Sequence, residues 1–229
     1  MKNVEKLMSN RLRMISDAVR KCSYVHDIGT DHAYVPIDLI QKRICDKAFA
    51  CDVKKGPLLI ADKNIEKYKL QGMIVTRLGD GLAAVLEEPD CIIIAGMGGI
   101  LISQLINNHI DIAKRAGQLV VQAMNHEEIV RESLLNQGFS IEFEKLIGEG
   151  HKIYNMMSYK YAGKENDYFA YEYYTSRYLV EEKDMLLKPY LKGKLKRLHD
   201  IAKGQHLTDS VDEKLLSIKE KMEEIYHES

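Results

Sequence analysis

The chain has 229 residues, a formal net charge of −1 and 45% hydrophobic side chains, enough for one cored domain with an appendage or for two small domains. That charge balance excludes a global basic field, so any nucleic-acid contact must come from local clusters. The four cysteines, Cys22, Cys45, Cys51 and Cys91, form no C-x-x-C pair, which points to reduced thiols and away from a disulfide frame or a zinc site.

No apolar run approaches the ~20 residues of a membrane span. The charged start Met1-Lys2-Asn3-Val4-Glu5 lacks the apolar core of a signal segment. The expectation is a soluble cytoplasmic protein with neither membrane nor DNA as partner; the oligomeric state is left open.

In chain order, residues 3–21 read as a helix, with Leu7, Leu12, Ile15 and Val19 near helical spacing. Residues 1–21 carry a local excess of four positive charges, including Arg11 and Arg13, which suits either a solvated face or a nucleic-acid contact. Strands and helices then alternate. Strands are expected at Tyr24–Ile28, Lys47–Val53, Met73–Leu78, Cys91–Ala95 and Gln118–Gln122, and helices at Ala33–Arg43, from Pro57 to about Lys69, at Gly98–Ala116 and at Glu127–Gln137. Two last strands, Ser140–Leu146 and Ile153–Tyr161, are too close in sequence for a crossover helix and should pair antiparallel. The pattern is an α/β fold, Rossmann-like, with a mostly parallel seven-stranded sheet over residues 1–162. Residues 163–229 contain no strand-like run. Tyr168, Tyr171, Tyr174 and Tyr178 with Met185 and Leu186, and then Val211, Leu215, Ile218, Met222 and Ile225, predict two long helices in a coiled-coil-like hairpin. The tyrosine stripe reads as core rather than as a ligand platform.

Ligands of open α/β sheets sit outside the carboxyl ends of the strands, and four strand ends here carry suitable residues. The first is Asp27-Ile28-Gly29-Thr30-Asp31-His32. It is not G-x-G-x-x-G, and its carboxylates would repel a pyrophosphate but suit an ammonium or sulfonium; capping a helix is the other role open to Asp31. The second is Cys51-Asp52-Val53, with Asp52 23 residues after Gly29, where a carboxylate can grip ribose hydroxyls. The third is Gly79-Asp80-Gly81, which is either an adenine-amine acceptor or a plain turn. The fourth is Ala95-Gly96-Met97-Gly98-Gly99, whose bare backbone could hold a flat base against a methyl donor.

Together the runs Asp27–Pro36, Cys51–Pro57, Arg77–Leu82 and Ala95–Gly99, with Ser9–Leu12 and His151–Tyr154, resemble the TrmK family over most of residues 5–160. These are bacterial tRNA methyltransferases acting on ring nitrogen 1 of the adenine at position twenty-two, with a Rossmann-like domain followed by a helical one. The resemblance implies S-adenosyl-L-methionine as cofactor and tRNA as partner. It puts the methionine part near Gly29, Thr30, Asp31 and His32, the ribose and adenine near Asp52, Val53, Asp80 and Gly81, and the transferred methyl beside Ala95, Gly96, Met97 and Gly98. One departure stands out. The family has Gln-Pro-Asn after the fifth strand, whereas this chain has Gln122-Ala123-Met124-Asn125, with the asparagine one residue later.

Adenine nitrogen 1 carries a free lone pair, so placement matters more than a base. Asp31 is the leading carboxylate for stabilising the cationic product. Tyr34 and Asn125 are candidates for holding the base, and His32 for contacting cofactor or RNA. Residues 183–203 have an excess of five positive charges, so Lys192, Lys194, Lys196 and Arg197 are expected on RNA phosphates alongside Arg11 and Arg13. Three rivals remain at this point: a methyltransferase on another RNA or a small molecule, an NAD-linked oxidoreductase, and a non-catalytic binding protein.

Overall fold

The computed structural model describes residues 3–164, 168–206 and 212–229. Val211 of the second tail stretch lies outside them. Seven strands form one sheet: β1 (Cys22–Ile28), β2 (Cys45–Asp52), β3 (Ile74–Leu78), β4 (Cys91–Met97), β5 (Gln118–Ala123), β6 (Phe139–Glu149) and β7 (Lys152–Tyr161). Their order is β3-β2-β1-β4-β5-β7-β6. The first five run parallel, while β7 is antiparallel to both β5 and β6. The α/β expectation and its terminal hairpin are both met. Chain order reverses between β1 and β4, where Asp27 pairs with Ile93, and this switch point opens a crevice at the carboxyl edge.

The helices are α1 (Asn10–Asp17), α2 (Tyr34–Gln41), α3 (Lys55–Tyr68), α4 (Gly99–Asn107), α5 (Ile110–Arg115), α6 (Glu127–Leu135), α7 (Arg177–Glu181), α8 (Leu187–His206) and α9 (Glu213–Glu228). Ile92, Ile93 and Ile94 of β4 are wholly buried because helices cover both sheet faces. Each such side chain contributes about 1.5–3 kcal/mol.

Three expected helices are shorter than their periodicity suggested. The first does not span 3–21: Ser9 is extended and its hydroxyl accepts from the Leu12 amide, so α1 begins at Asn10 after a short 3-10 turn at Glu5–Leu7. At its far end the Arg20 amide turns to the Gln118 side chain at 3.0 Å. The run 98–116 breaks at Asn108 and His109, the latter at φ −140° and ψ 43°, giving α4 and α5. The tyrosine stripe is not a long helix either. Its hydroxyl-bearing interruption Thr175-Ser176 ends the 3-10 turn at Ala170–Tyr173, and Ser176 caps α7 by accepting from Leu179. Four tyrosines pack half-buried against the core, Tyr168 and Tyr173 on the sheet side and Tyr171 and Tyr174 on the side of α8 and α9.

Helices α8 and α9 lie antiparallel, with Lys188 near the start of α8 over the ring of Tyr226 near the end of α9. Leu191, Leu198 and Ala202 meet Leu215, Ile218, Met222 and Ile225 between them. The segment leading into this hairpin is fastened to the sheet by buried charge. Arg131 of α6, wholly buried, pairs with Glu144 of β6 at 2.5 Å and donates to the Tyr173 carbonyl. Glu144 also accepts from Asn155 at 2.6 Å and from Ser176. Among the described residues no helix is long and apolar enough to cross a membrane.

Candidate active site

A cavity of about 290 Å³ opens at the switch point, lined by the β1–α2 turn, the end of β4 and the start of α1. Asp27, Gly29, Thr30, Asp31, His32 and Tyr34 enter it from the first turn, Ala95 and Gly96 from the fourth, and Arg11 from α1. Asp52, Val53, Asp80 and Gly81 are not among its lining residues. They sit at the neighbouring ends of β2 and β3, whose last residues Asp52 and Leu78 are in register. The four turns therefore share one edge of the sheet, with the first and fourth in the same cavity.

Local chemistry explains the shape of each turn. Gly29 has φ +79°, and its amide and that of Thr30 both donate to the Cys51 carbonyl, at 2.8 and 2.9 Å. This bends the chain from β1 over the end of β2. The terminal methyl of Met97 lies where a side chain on residue 29 would begin. Asp27 is buried beneath the turn. Burial pushes its carboxyl up to about 6, partly offset by the neighbouring Thr30 hydroxyl, and the nearby Asp52 charge adds to the rise. A desolvated carboxylate under a glycine turn suits a cationic group and disfavours a pyrophosphate. Asp31 is exposed and reaches His32 at 3.1 Å, and the His32 ring stacks on Tyr34 with centroids 5.1 Å apart. Asp52 accepts from the Lys54 amide at 2.7 Å.

The fourth turn is fitted closely to the loop after β5. Gly96 has φ +81°. The Met124 amide donates to the Met97 carbonyl at 2.8 Å, and the Gly99 amide to the Asn125 carbonyl at 2.9 Å. A side chain at Gly99 would strike the His126 carbonyl, and one at Gly98 would begin 3.1 Å from Asn125 Oδ1. Despite the missing proline, Asn125 thus faces the glycine turn.

The basic candidates separate. Arg11 belongs to the cavity: its guanidinium donates to Gln122 Oε1 at 2.7 Å, lies over the Tyr154 ring and borders Gly96. Arg13 lines no part of it and donates to the Glu5 carbonyl at 3.3 Å. Lys192 and Lys196 are exposed. Lys194 does not fit the expected RNA-facing role. It is buried, with its ammonium 2.6 Å from Glu127 and 3.3 Å from Glu128, because the first turn of α6 supplies two carboxylates just where α8 crosses. Arg197 is half-buried and engaged with His126 and Glu128. The contacts of Arg11 with Gln122, Tyr154 and Glu149, whose carboxylate accepts from the Arg11 amide at 3.0 Å, were not anticipated. They reach Arg11 across more than 100 residues, and no local pattern announces that.

The doubly covered parallel sheet, its antiparallel last hairpin and an acidic, glycine-walled crevice at the switch point define a Rossmann-like methyltransferase domain. Residues 8–157 match a family model described as a methyltransferase domain, and the chain belongs to that family. It is 32% identical over 151 residues to the tRNA (adenine(22)-N(1))-methyltransferase of Bacillus subtilis, an alignment covering 66% of this chain and 63% of that one. A Streptococcus pneumoniae protein solved in complex with S-adenosyl-L-methionine superposes with a TM-score of 0.84 at 27% identity, covering 96% of this chain and all of the other. M. capricolum TrmK, solved with S-adenosyl-homocysteine, gives a TM-score of 0.72 at 25% identity over 96% and 97% of the two chains.

Proposed function

We propose that this chain transfers a methyl group from S-adenosyl-L-methionine to ring nitrogen 1 of an adenine in tRNA, the adenine at position twenty-two. The observation that carries the reading is the single cavity joining buried Asp27 and the bare turns at Gly29 and Gly96, in a chain whose curated Bacillus relative bears that activity.

The residues present fit the cofactor. Gly29, Thr30, Asp31 and His32, over the Asp27 carboxylate, would hold the methionine part. Asp52 and Val53 would take the ribose, and Asp80 with Gly81 the adenine. Ala95, Gly96, Met97 and Gly98 would flank the methyl. When bound, this cofactor supplies an electrophilic sulfonium methyl. The protein's own work is placement. The glycine turn leaves room for a flat ring, and the Asn125 side chain beside Gly98 can hydrogen-bond its edge. Tyr34 brings its ring to the same cavity. Nitrogen 1 attacks with its own lone pair, so no residue need remove a proton first, and aligning the partners can supply roughly 7–11 kcal/mol. Asp31 then stabilises the positive charge that develops on the base. Arg11 brings a fixed cation to the cavity rim, suited to a phosphate of the target strand. Exposed Lys192 and Lys196 with Arg13 extend that contact.

Calorimetric titration tests the cofactor assignment: S-adenosyl-L-methionine should bind and NAD should not. The reverse result would return the chain to the oxidoreductase reading.

A further inference from the structure

Helix α8 reaches the catalytic edge through the side chain of Arg197. His126 sits at the entrance to α6 with φ 54°, a left-handed conformation that costs a non-glycine residue of order 1 kcal/mol unless its surroundings hold it. Arg197 of α8 donates to His126 Nδ1 at 2.6 Å. The same guanidinium nitrogen lies 3.3 Å from His126 Nε2, so the arginine rests against both ring nitrogens. Glu128 sits 3.3 Å from both the Arg197 guanidinium and His126 Nδ1. Lys194, one turn earlier on α8, closes on Glu127 and Glu128. On its other side, His126 packs its carbonyl against Gly99, and its neighbour Asn125 accepts from the Gly99 amide and turns its side chain toward Gly98. A continuous path of contacts therefore runs from α8 through Arg197, His126 and Asn125 to the glycine turn that flanks the methyl.

We propose that Arg197 is a positioning residue for methyl transfer: by holding the His126 ring it fixes Asn125 at the reacting edge, so the helical hairpin takes part in catalysis and not only in RNA contact or stability. The proposal deepens the methyltransferase reading and rests on it. It differs from a phosphate-contact role for Arg197, which would act on tRNA affinity alone.

Full-length Arg197→Ala, Arg197→Lys and His126→Gly are compared with the parent chain for kcat and KM on unmodified tRNA, for S-adenosyl-L-methionine affinity and for amide hydrogen exchange over residues 122–126. His126→Gly tolerates the left-handed backbone while removing the ring. We expect Arg197→Ala and His126→Gly each to lower kcat roughly tenfold, the scale of one charge-assisted hydrogen bond. The double variant should fall no further than either single one. Cofactor affinity should stay within about twofold, Arg197→Lys should recover part of the rate through its remaining donor, and exchange at 122–126 should quicken in the Ala variant. A raised KM with unchanged kcat, or unchanged exchange at 122–126, would overturn the proposal in favour of a phosphate contact or an inert ion pair. Rate losses that multiply in the double variant would overturn it too. Should the parent chain itself fail to methylate tRNA, the functional reading falls and takes this proposal with it. A parent chain that is active, with variants as fast as itself, removes the proposal alone.

Discussion

The guanidinium of Arg11 donates to the Gln122 side chain across 2.7 Å, bringing together residues 111 positions apart at the rim of one cavity. Gln122 is wholly buried at the end of β5 and directs its amide nitrogen to the Ala123 carbonyl, which leaves its oxygen for Arg11. The arginine is thereby aimed along the cavity beside Gly96. Arg11→Ala should lower kcat/KM on tRNA by roughly 10–100-fold, the worth of a hydrogen bond to a charged group. Cofactor affinity should change little. Equal losses in cofactor binding and in turnover would place Arg11 on the cofactor instead.

Gly29 accepts a side chain only under strain. Its φ of +79° is a conformation other residues rarely adopt, and the Met97 methyl occupies the adjoining space. Gly29→Ala should weaken S-adenosyl-L-methionine roughly tenfold in calorimetry, because the turn must shift from its ligand-facing path to relieve backbone strain on the order of 1–3 kcal/mol. Gly56→Ala, where a new methyl meets nothing within 4 Å, should bind as the parent does. Matching affinities for the two variants would show that the β1 turn does not approach the ligand.

Asp27 makes cofactor binding depend on pH. Its carboxyl is pushed up to about 6 by burial, so near pH 5 it is largely protonated and offers a cationic ligand no charge. Affinity should rise between pH 5 and 7, and Asp27→Asn should be weaker and flat across that range. The same shift acts on stability with the opposite sense. The native state holds this proton more firmly than the unfolded chain does, so this group's contribution is greatest below about 4 and declines as pH climbs to about 6. The loss is on the order of 3 kcal/mol, and the Asn variant should lack that slope in denaturant titrations. A cofactor affinity that ignores pH in the parent chain would remove Asp27 from the site.

The buried Arg131–Glu144 pair locks the sheet to the tail, with Asn155 and Ser176 completing the carboxylate's partners. Removing one member strands a charge, so Arg131→Met should cost about 3–5 kcal/mol and lower Tm by about 10 °C, since roughly 2–4 °C is lost per kcal/mol in a chain this size. Arg131→Met with Glu144→Leu should be less damaging than Arg131→Met alone. Additive losses would show that packing, not the stranded charge, sets the cost.

Much of the architecture was legible because parallel strands advertise themselves. The run Cys91-Ile92-Ile93-Ile94 can only sit between covered faces, and Gly148-Glu149-Gly150 leaves no room for a crossover helix before the last strand. The acidic and glycine turns were legible for the same reason: topology alone sends Asp27, Asp52, Asp80 and Gly96 to one edge. What escaped was set by long-range partners. Lys194 looked like a phosphate ligand because its sequence neighbours are basic, but Glu127 and Glu128 on another helix bury it. Arg11 looked like a surface cation until Gln122 and Tyr154 drew it into the cavity. The tyrosine run has helical spacing, yet Ser176 is claimed by Glu144 and by the cap of α7, which breaks it.

The most direct measurement is transfer of labelled methyl from S-adenosyl-L-methionine to unmodified tRNA, followed by mapping of the modified nucleotide. One methyl per tRNA is expected, on ring nitrogen 1 of the adenine at position twenty-two. Label on an exocyclic amine or at another nucleotide, or none on tRNA despite firm cofactor binding, would contradict it.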